Sequence, residues 1–251
     1  RNVTMIVNVV KNTSSSPPDY QYQLLGGLWW AGSDFTSRRD LGVTVEGNWK
    51  TEAANLTLHS MMDRIRALRM PLGLIFRVVH EQRMLLDDVI NWVSLNISAT
   101  PAPFYLIMSG VGRQGAVLSK SFVLNASLRV HYVNDSTPNW YLFQTNNDWW
   151  IPGPDPGDGC SSAIRNQVAE NFLHDVGRAV GSSGMGVWMT LNQFPVHNAD
   201  TAFTAIMSVA ASASASVPSL IAYTHQAIFG YPLMPWCPPP NTDPICSACG
   251  P

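Results

Sequence analysis

Apolar and polar residues alternate in one half of this chain and recur at helical spacing in the other. RNVTMIVNVV is rich in β-branched residues and predicts a strand. The loop NTSSSPPD follows it, and then a second strand-like run, QYQLLGGLWWAG. From His59 to Leu95 the period changes. Met61, Met62, Ile65 and Leu68 fall on one helical face, as do Leu74, Ile75, Val78 and Val79, and then Leu85, Leu86, Val89, Ile90 and Val93. Two or three helices are predicted there. Beyond the Pro-containing break ATPAP, the runs FYLIMSG, GAVLSKSFVL and SLRVHYV, with VGRQG as a turn and NWYLFQT after them, predict an antiparallel meander. WAGSDFTSRRDL reads as a loop. In SSAIRNQVAENFLHDVGRAV, residues Ile164, Val168, Phe172, Val176 and Val180 form a helical stripe, with Ser161 or Ser162 as cap and Gly181 as stop. FTAIMSVAASASASV and LIAYTHQAIF close the pattern as extended runs. Strands, helices, strands, helix and strands in that order make an α+β class with helices layered on antiparallel sheets.

Composition widens this only slightly. A chain of 251 residues, 46% hydrophobic and 13% charged, can bury a substantial core. Its formal charge of −2 and scattered Lys and Arg provide no basic stripe for phosphates, so nucleic acid is not an expected partner. No apolar run approaches the roughly 20 residues that cross a bilayer, so no transmembrane segment is expected.

Six N-x-S/T sequons, at Asn2, Asn12, Asn55, Asn96, Asn125 and Asn134, exceed the number that chance would place here. Their excess predicts N-linked glycans at these asparagines and a secretory destination, secreted or lysosomal. The four cysteines fit such a route. Cys237, Cys246 and Cys249 crowd the Pro-rich tail CPPPNTDPICSACGP, and with Cys160 they allow three pairings. A disulfide clasp is the favoured reading of the lone CxxC, ahead of a zinc site.

The familiar catalytic signatures are missing. GSSGMG does not have the spacing of a nucleophile elbow, and there is no phosphate loop, dinucleotide fingerprint or HExxH, so no cofactor is expected. The histidines at 59, 80, 131, 174, 197 and 225 are dispersed and read as surface or structural residues. Asp87 and Asp88 are adjacent on a helix, point about 100° apart, and read as a solvated face. One stretch stands out: YLFQTNNDWW, residues 141–150, sets polar amides directly after an apolar run. An asparagine side chain held there could donate to a developing oxyanion, or the stretch could be an Asn-rich turn capped by aromatics.

WYLFQTNNDWW resembles the WxxVQTNYDxW segment of the acid ceramidase and N-acylethanolamine acid amidase family of N-terminal-nucleophile (Ntn) hydrolases. FRVVHEQRMLLDDVINWVSLNISATPAPFYLIMSG is similar to that family's run ending in APxYxIxGG, and GAVLSKS to its GxVITR strand. DGCSSAIRNQ is similar to DRRTSAIKAL, and LNQFPVHNADTAFTAIMSV to LSxxPVxNxxTxYTxxM. The resemblance runs from about Arg1 to Val209 and is densest between Leu74 and Met207.

What it implies is an αββα Ntn-hydrolase sandwich, two antiparallel sheets flanked by helices, over residues 1–230. A tail at 231–251, closed by a disulfide, is similar to the end of acid ceramidase. The implied activity is hydrolysis of the amide bond of N-acyl lipids by an N-terminal cysteine whose own amine is the base. That cysteine belongs to an upstream fragment of the same precursor, the expected partner chain. Asn146, the asparagine of QTN, is the implied catalytic residue and oxyanion donor. Cys160 stands where the family has the second arginine of its DRR motif, and Gly47, preceded by Glu46, stands where it has a glutamate. Glu46 could serve after a one-residue slip, and Arg38 or Arg39 could restore a charge. Trp29, Trp30, Trp149 and Trp150 would help line an acyl pocket. The alternative is a catalytically inactive, glycosylated structural or interaction module that keeps the fold.

Overall fold

A computed structural model describes residues 4–9, 20–25, 35–38, 40–47, 62, 72–97, 104–112, 114–120, 128–134, 136–146, 148–150, 161–197, 203–207, 209 and 220–224. The chain divides into two compact units. One comprises residues 1–48, 56–142 and 207–224, and the other 49–55, 143–206 and 225–251.

The first unit is built on a seven-stranded antiparallel sheet whose strands follow one another in chain order. They are β1 (Thr4–Val9), β2 (Tyr20–Leu25), β3 (Phe35–Arg38), β4 (Leu41–Gly47), β5 (Phe104–Gly110), β6 (Gln114–Lys120) and β7 (Arg129–Val133). Helices α1 (Leu72–Glu81) and α2 (Leu86–Asn96) enter between β4 and β5. The register sets Val43 opposite Met108 and Met108 opposite Ala116, then Leu106 opposite Leu118. Strand alternation puts these rungs on one face. There they form a single core with Ile75, Phe76 and Val79 of α1 and Leu86, Val89 and Val93 of α2. Each such side chain contributes about 1.5–3 kcal/mol by leaving water. Tyr105 and Val117 point to the opposite face and are also wholly buried, so both faces of β5 and β6 are withdrawn from water.

Close approach favours glycine at position 110. A Cβ there would meet the Leu86 Cβ at 3.0 Å, because the first residue of α2 rests on the end of β5. The start of α2 is capped by acid: the Leu85 N–H donates to the Asp88 carboxylate at 3.0 Å, and Asp87 and Asp88 complement the helix dipole from an exposed first turn.

The end of α1 is held by an arginine from the sheet. Arg38 of β3 is buried and donates from Nη2 to the Met84 carbonyl at 2.6 Å and from Nη1 to the Val79 and His80 carbonyls at 3.4 Å. It also bonds the Asp40 carboxylate. The Val79 and His80 carbonyls also accept the Met84 and Arg83 N–H groups, at 3.0 and 3.2 Å, and a cation at this helix end answers the dipole. His80 is buried beside this group, and burial, with the Arg38 charge adding to it and Asp40 opposing, lowers its pKa to about 3.

Two expectations differ from the structure. The presumed loop WAGSDFTSRRDL contains β3, with Arg38 paired to Leu41 across a two-residue connection. Phe-Thr-Ser-Arg carries one apolar residue, so its strand form comes from pairing with β2 and β4 and not from a hydrophobic pattern. In the other direction, NWYLFQT is not a strand. Residues 139 and 141–145 have no regular structure, Trp140 is a bend, and the run crosses from the first unit to the second between Leu142 and Phe143.

In the second unit α3 (Ser161–Gly181) is interrupted at Gly177, where φ is 69°, and is followed by α4 (Gly184–Leu191). α4 was not anticipated: Gly184 and Gly186 stand in its first turn, and glycine is a poor helix former. Ser183 caps it, accepting from the Gly186 N–H at 3.0 Å and donating to the Val180 carbonyl at 2.6 Å. The stripe expected on α3 is only half-buried, with Val180 exposed. The buried positions are Ser162, Ala169, Leu173 and Gly181. Strands β8 (Phe203–Met207) and β9 (Leu220–Thr224) follow in the chain. The two or three helices expected between His59 and Leu95 correspond to α1, α2 and a helical Met62. The four cysteines, the tail from 231 and the sequons at Asn2, Asn12, Asn55 and Asn125 lie outside the described residues.

Candidate functional site

Asn146 sits at a bend just past the irregular run 141–145, and the first turn of α3 holds it there. Its backbone N–H donates to Ser162 Oγ at 3.0 Å. Its side-chain oxygen accepts from Arg165 Nη2 at 2.7 Å, and the same nitrogen donates to Ser162 Oγ at 3.0 Å. One residue earlier, Thr145 Oγ1 donates to Asn166 Oδ1 at 3.0 Å and lies 3.4 Å from the Ser162 carbonyl. Ser162, Arg165 and Asn166 are at i, i+3 and i+4, so one helix face presents all three to the QTN segment.

Ser162 was expected to cap the helix. It lies inside the first turn instead, wholly buried, and its hydroxyl oxygen receives two donors. Burial removes it from consideration as a nucleophile. Arg165 was not singled out from the sequence at all. The signal was present in DGCSSAIRNQ as polar residues at helical spacing downstream of QTN, but an arginine on a helix is ordinarily solvated.

Other residues of the segment are packed nearby in sequence. Asp148 is buried, and the half-buried Trp149 and Trp150 rings meet edge to face with centroids 4.4 Å apart. Trp29 and Trp30 lie outside the described residues, as do Arg39 and Cys160. Glu46 is on β4 opposite Tyr105, in the first unit. Arg38, considered as a replacement charge, is instead committed to the end of α1.

The four described histidines occupy separate elements. His80 is in α1, His131 in β7 and His174 on the exposed face of α3, 3.6 Å from Asp175. His197 follows α4, buried, with Nδ1 2.9 Å from Asn192 Oδ1. Among the described residues no group of three or more His, Cys, Asp or Glu side chains could hold a metal ion. No described helix is long and apolar enough to cross a membrane.

Chemically, the cluster offers one carboxamide whose oxygen is taken by a cation and whose backbone is fixed to a helix. No family model, no curated protein and no solved structure matches the chain.

Proposed function

We propose that this chain is the large-chain part of an acid ceramidase-like Ntn amidohydrolase that cleaves the amide bond of N-acyl lipids, with Asn146 donating to the oxyanion. One observation carries the reading: the Asn146 carboxamide is anchored before any substrate arrives, its oxygen held by Arg165 Nη2 at 2.7 Å, while its backbone N–H donates to Ser162 Oγ at 3.0 Å. A donor already fixed costs little reorganisation when charge develops, which is what stabilises a tetrahedral intermediate. In the reaction, a cysteine thiol on an upstream segment attacks the amide carbonyl, the amine departs with a proton, and water hydrolyses the thioester to release the fatty acid.

The αββα sandwich belongs to the same proposal. Burial of both faces of β5 and β6 supports it, since a sheet covered on two sides needs a layer on each. A secreted or lysosomal destination, with glycans at the six sequons, completes the reading.

The test is turnover of an N-acyl amide by the mature protein together with its upstream segment. Asn146→Ala is expected to lower kcat by about 10²–10³-fold with the protein still folded, the usual loss for one oxyanion donor. No release of fatty acid by the unsubstituted mature protein would overturn the proposal. A second reading, a glycosylated interaction module without chemistry, is favoured by one observation: the Asn146 oxygen is spent on a partner within the chain, as in a purely structural tether.

A further inference from the structure

We infer that Arg165 is a positioning residue that fixes which way the Asn146 carboxamide faces, so that its N–H pair and not its oxygen is presented for hydrogen bonding. The two ends of an asparagine amide have nearly the same shape, and a half-buried amide free to turn would present an acceptor in one of its two orientations. An acceptor facing an oxyanion repels it. A guanidinium removes the ambiguity because it has five donors and no acceptor, so the atom of Asn146 that faces it must be the oxygen. That contact is 2.7 Å, short enough for a charge-assisted bond.

The guanidinium is itself located. Arg165 Nη2 donates also to Ser162 Oγ at 3.0 Å, one helical turn back, and the same hydroxyl oxygen receives the Asn146 N–H at 3.0 Å. Backbone and side chain of Asn146 are thereby tied to one point of α3, and rotation of the amide would set its NH₂ against a cation. Thr145, bonded to Asn166 on the same face, restrains the preceding residue.

The positioning role rests on the amidase reading, whereas the bond it uses does not, and the two are tested separately. In thermal unfolding of the full mature protein, Asn146→Asp places a carboxylate where Arg165 now meets a neutral oxygen. The melting temperature is expected to rise by about 2–4 °C. In an Arg165→Gln background the same substitution is expected to give no rise. Equal shifts in both backgrounds would overturn the orienting bond. In turnover of an N-acyl amide, Arg165→Gln, which can face either end of the amide, is expected to lower kcat about tenfold or more with KM within about twofold, since a misdirected amide is lost from the transition state and not from binding, whereas Arg165→Lys, a donor without an acceptor, is expected to lose less. Asn146→Asp is expected to abolish turnover while leaving the protein more stable. Undiminished kcat in Arg165→Gln, or an equal loss in Arg165→Gln and Arg165→Lys, would overturn the positioning role. Absence of turnover in the unsubstituted protein overturns the amidase reading itself, and with it the role, while the thermal experiment still reports on the bond.

Discussion

The Arg38 side chain is 6% exposed and bonds the carbonyls of Val79, His80 and Met84, besides the Asp40 carboxylate. Its loss would take a donor 2.6 Å from the Met84 carbonyl and leave a carboxylate without its cation. Arg38→Met keeps much of the apolar stem, so its effect isolates the charged head; it is expected to cost about 2–4 kcal/mol in urea denaturation. Nothing in the sequence announced this role. An arginine in a stretch rich in Ser, Asp and Arg reads as surface, and only the arrival of β3 beneath α1 turns it inward. Asn146 was singled out for another reason, the resemblance of QTN and its neighbours, whereas its partner Arg165 was not. The local string around Arg165 fixes a helix and says nothing of the loop 19 residues earlier that the guanidinium reaches.

Elements were legible where burial imposes a period. FYLIMSG became β5, GAVLSK lies within β6, and the stripes ending at Val79 and Val93 became α1 and α2, because each has a face that must leave water. Elements held by neighbours or by caps escaped. β3 is one, and α4 is the clearest, with Gly184 and Gly186 in its first turn and a serine before it. Gly186 is there for space: a Cβ would lie 2.0 Å from the Val180 carbonyl oxygen and 2.7 Å from the Gly181 Cα, backbone that cannot step aside. Gly186→Ala is therefore expected to destabilise by about 2 kcal/mol or more despite the better helix propensity of alanine, measured by chemical denaturation. Were propensity the controlling factor, the same substitution would stabilise. NWYLFQT erred in the opposite sense, since its aromatics satisfied a strand pattern while the backbone serves as the passage between two units.

At the scale of the whole molecule, class and order of elements followed from pattern: helices set between antiparallel strands, then a helical segment, then strands. The response of the molecule to acid follows from one ring. His80 in the folded chain has a pKa of about 3, well below its ordinary 6.5, because burial and the neighbouring Arg38 disfavour its charged form. The unfolded chain takes up that proton first. His80 therefore contributes stability in full above about pH 6.5, and that contribution drains away as pH falls toward 3, by roughly 3 kcal/mol at pH 4. Urea titrations at stepped pH should register this slope, and His80→Gln should flatten it. An unchanged slope would mean that the ring is not the group responsible. The Arg38 and His80 neighbourhood thus ties the persistence of the fold to the acidity around it. Near neutral pH the imidazole stays silent, whereas in acid each fall in pH opens the chain further to any protease present.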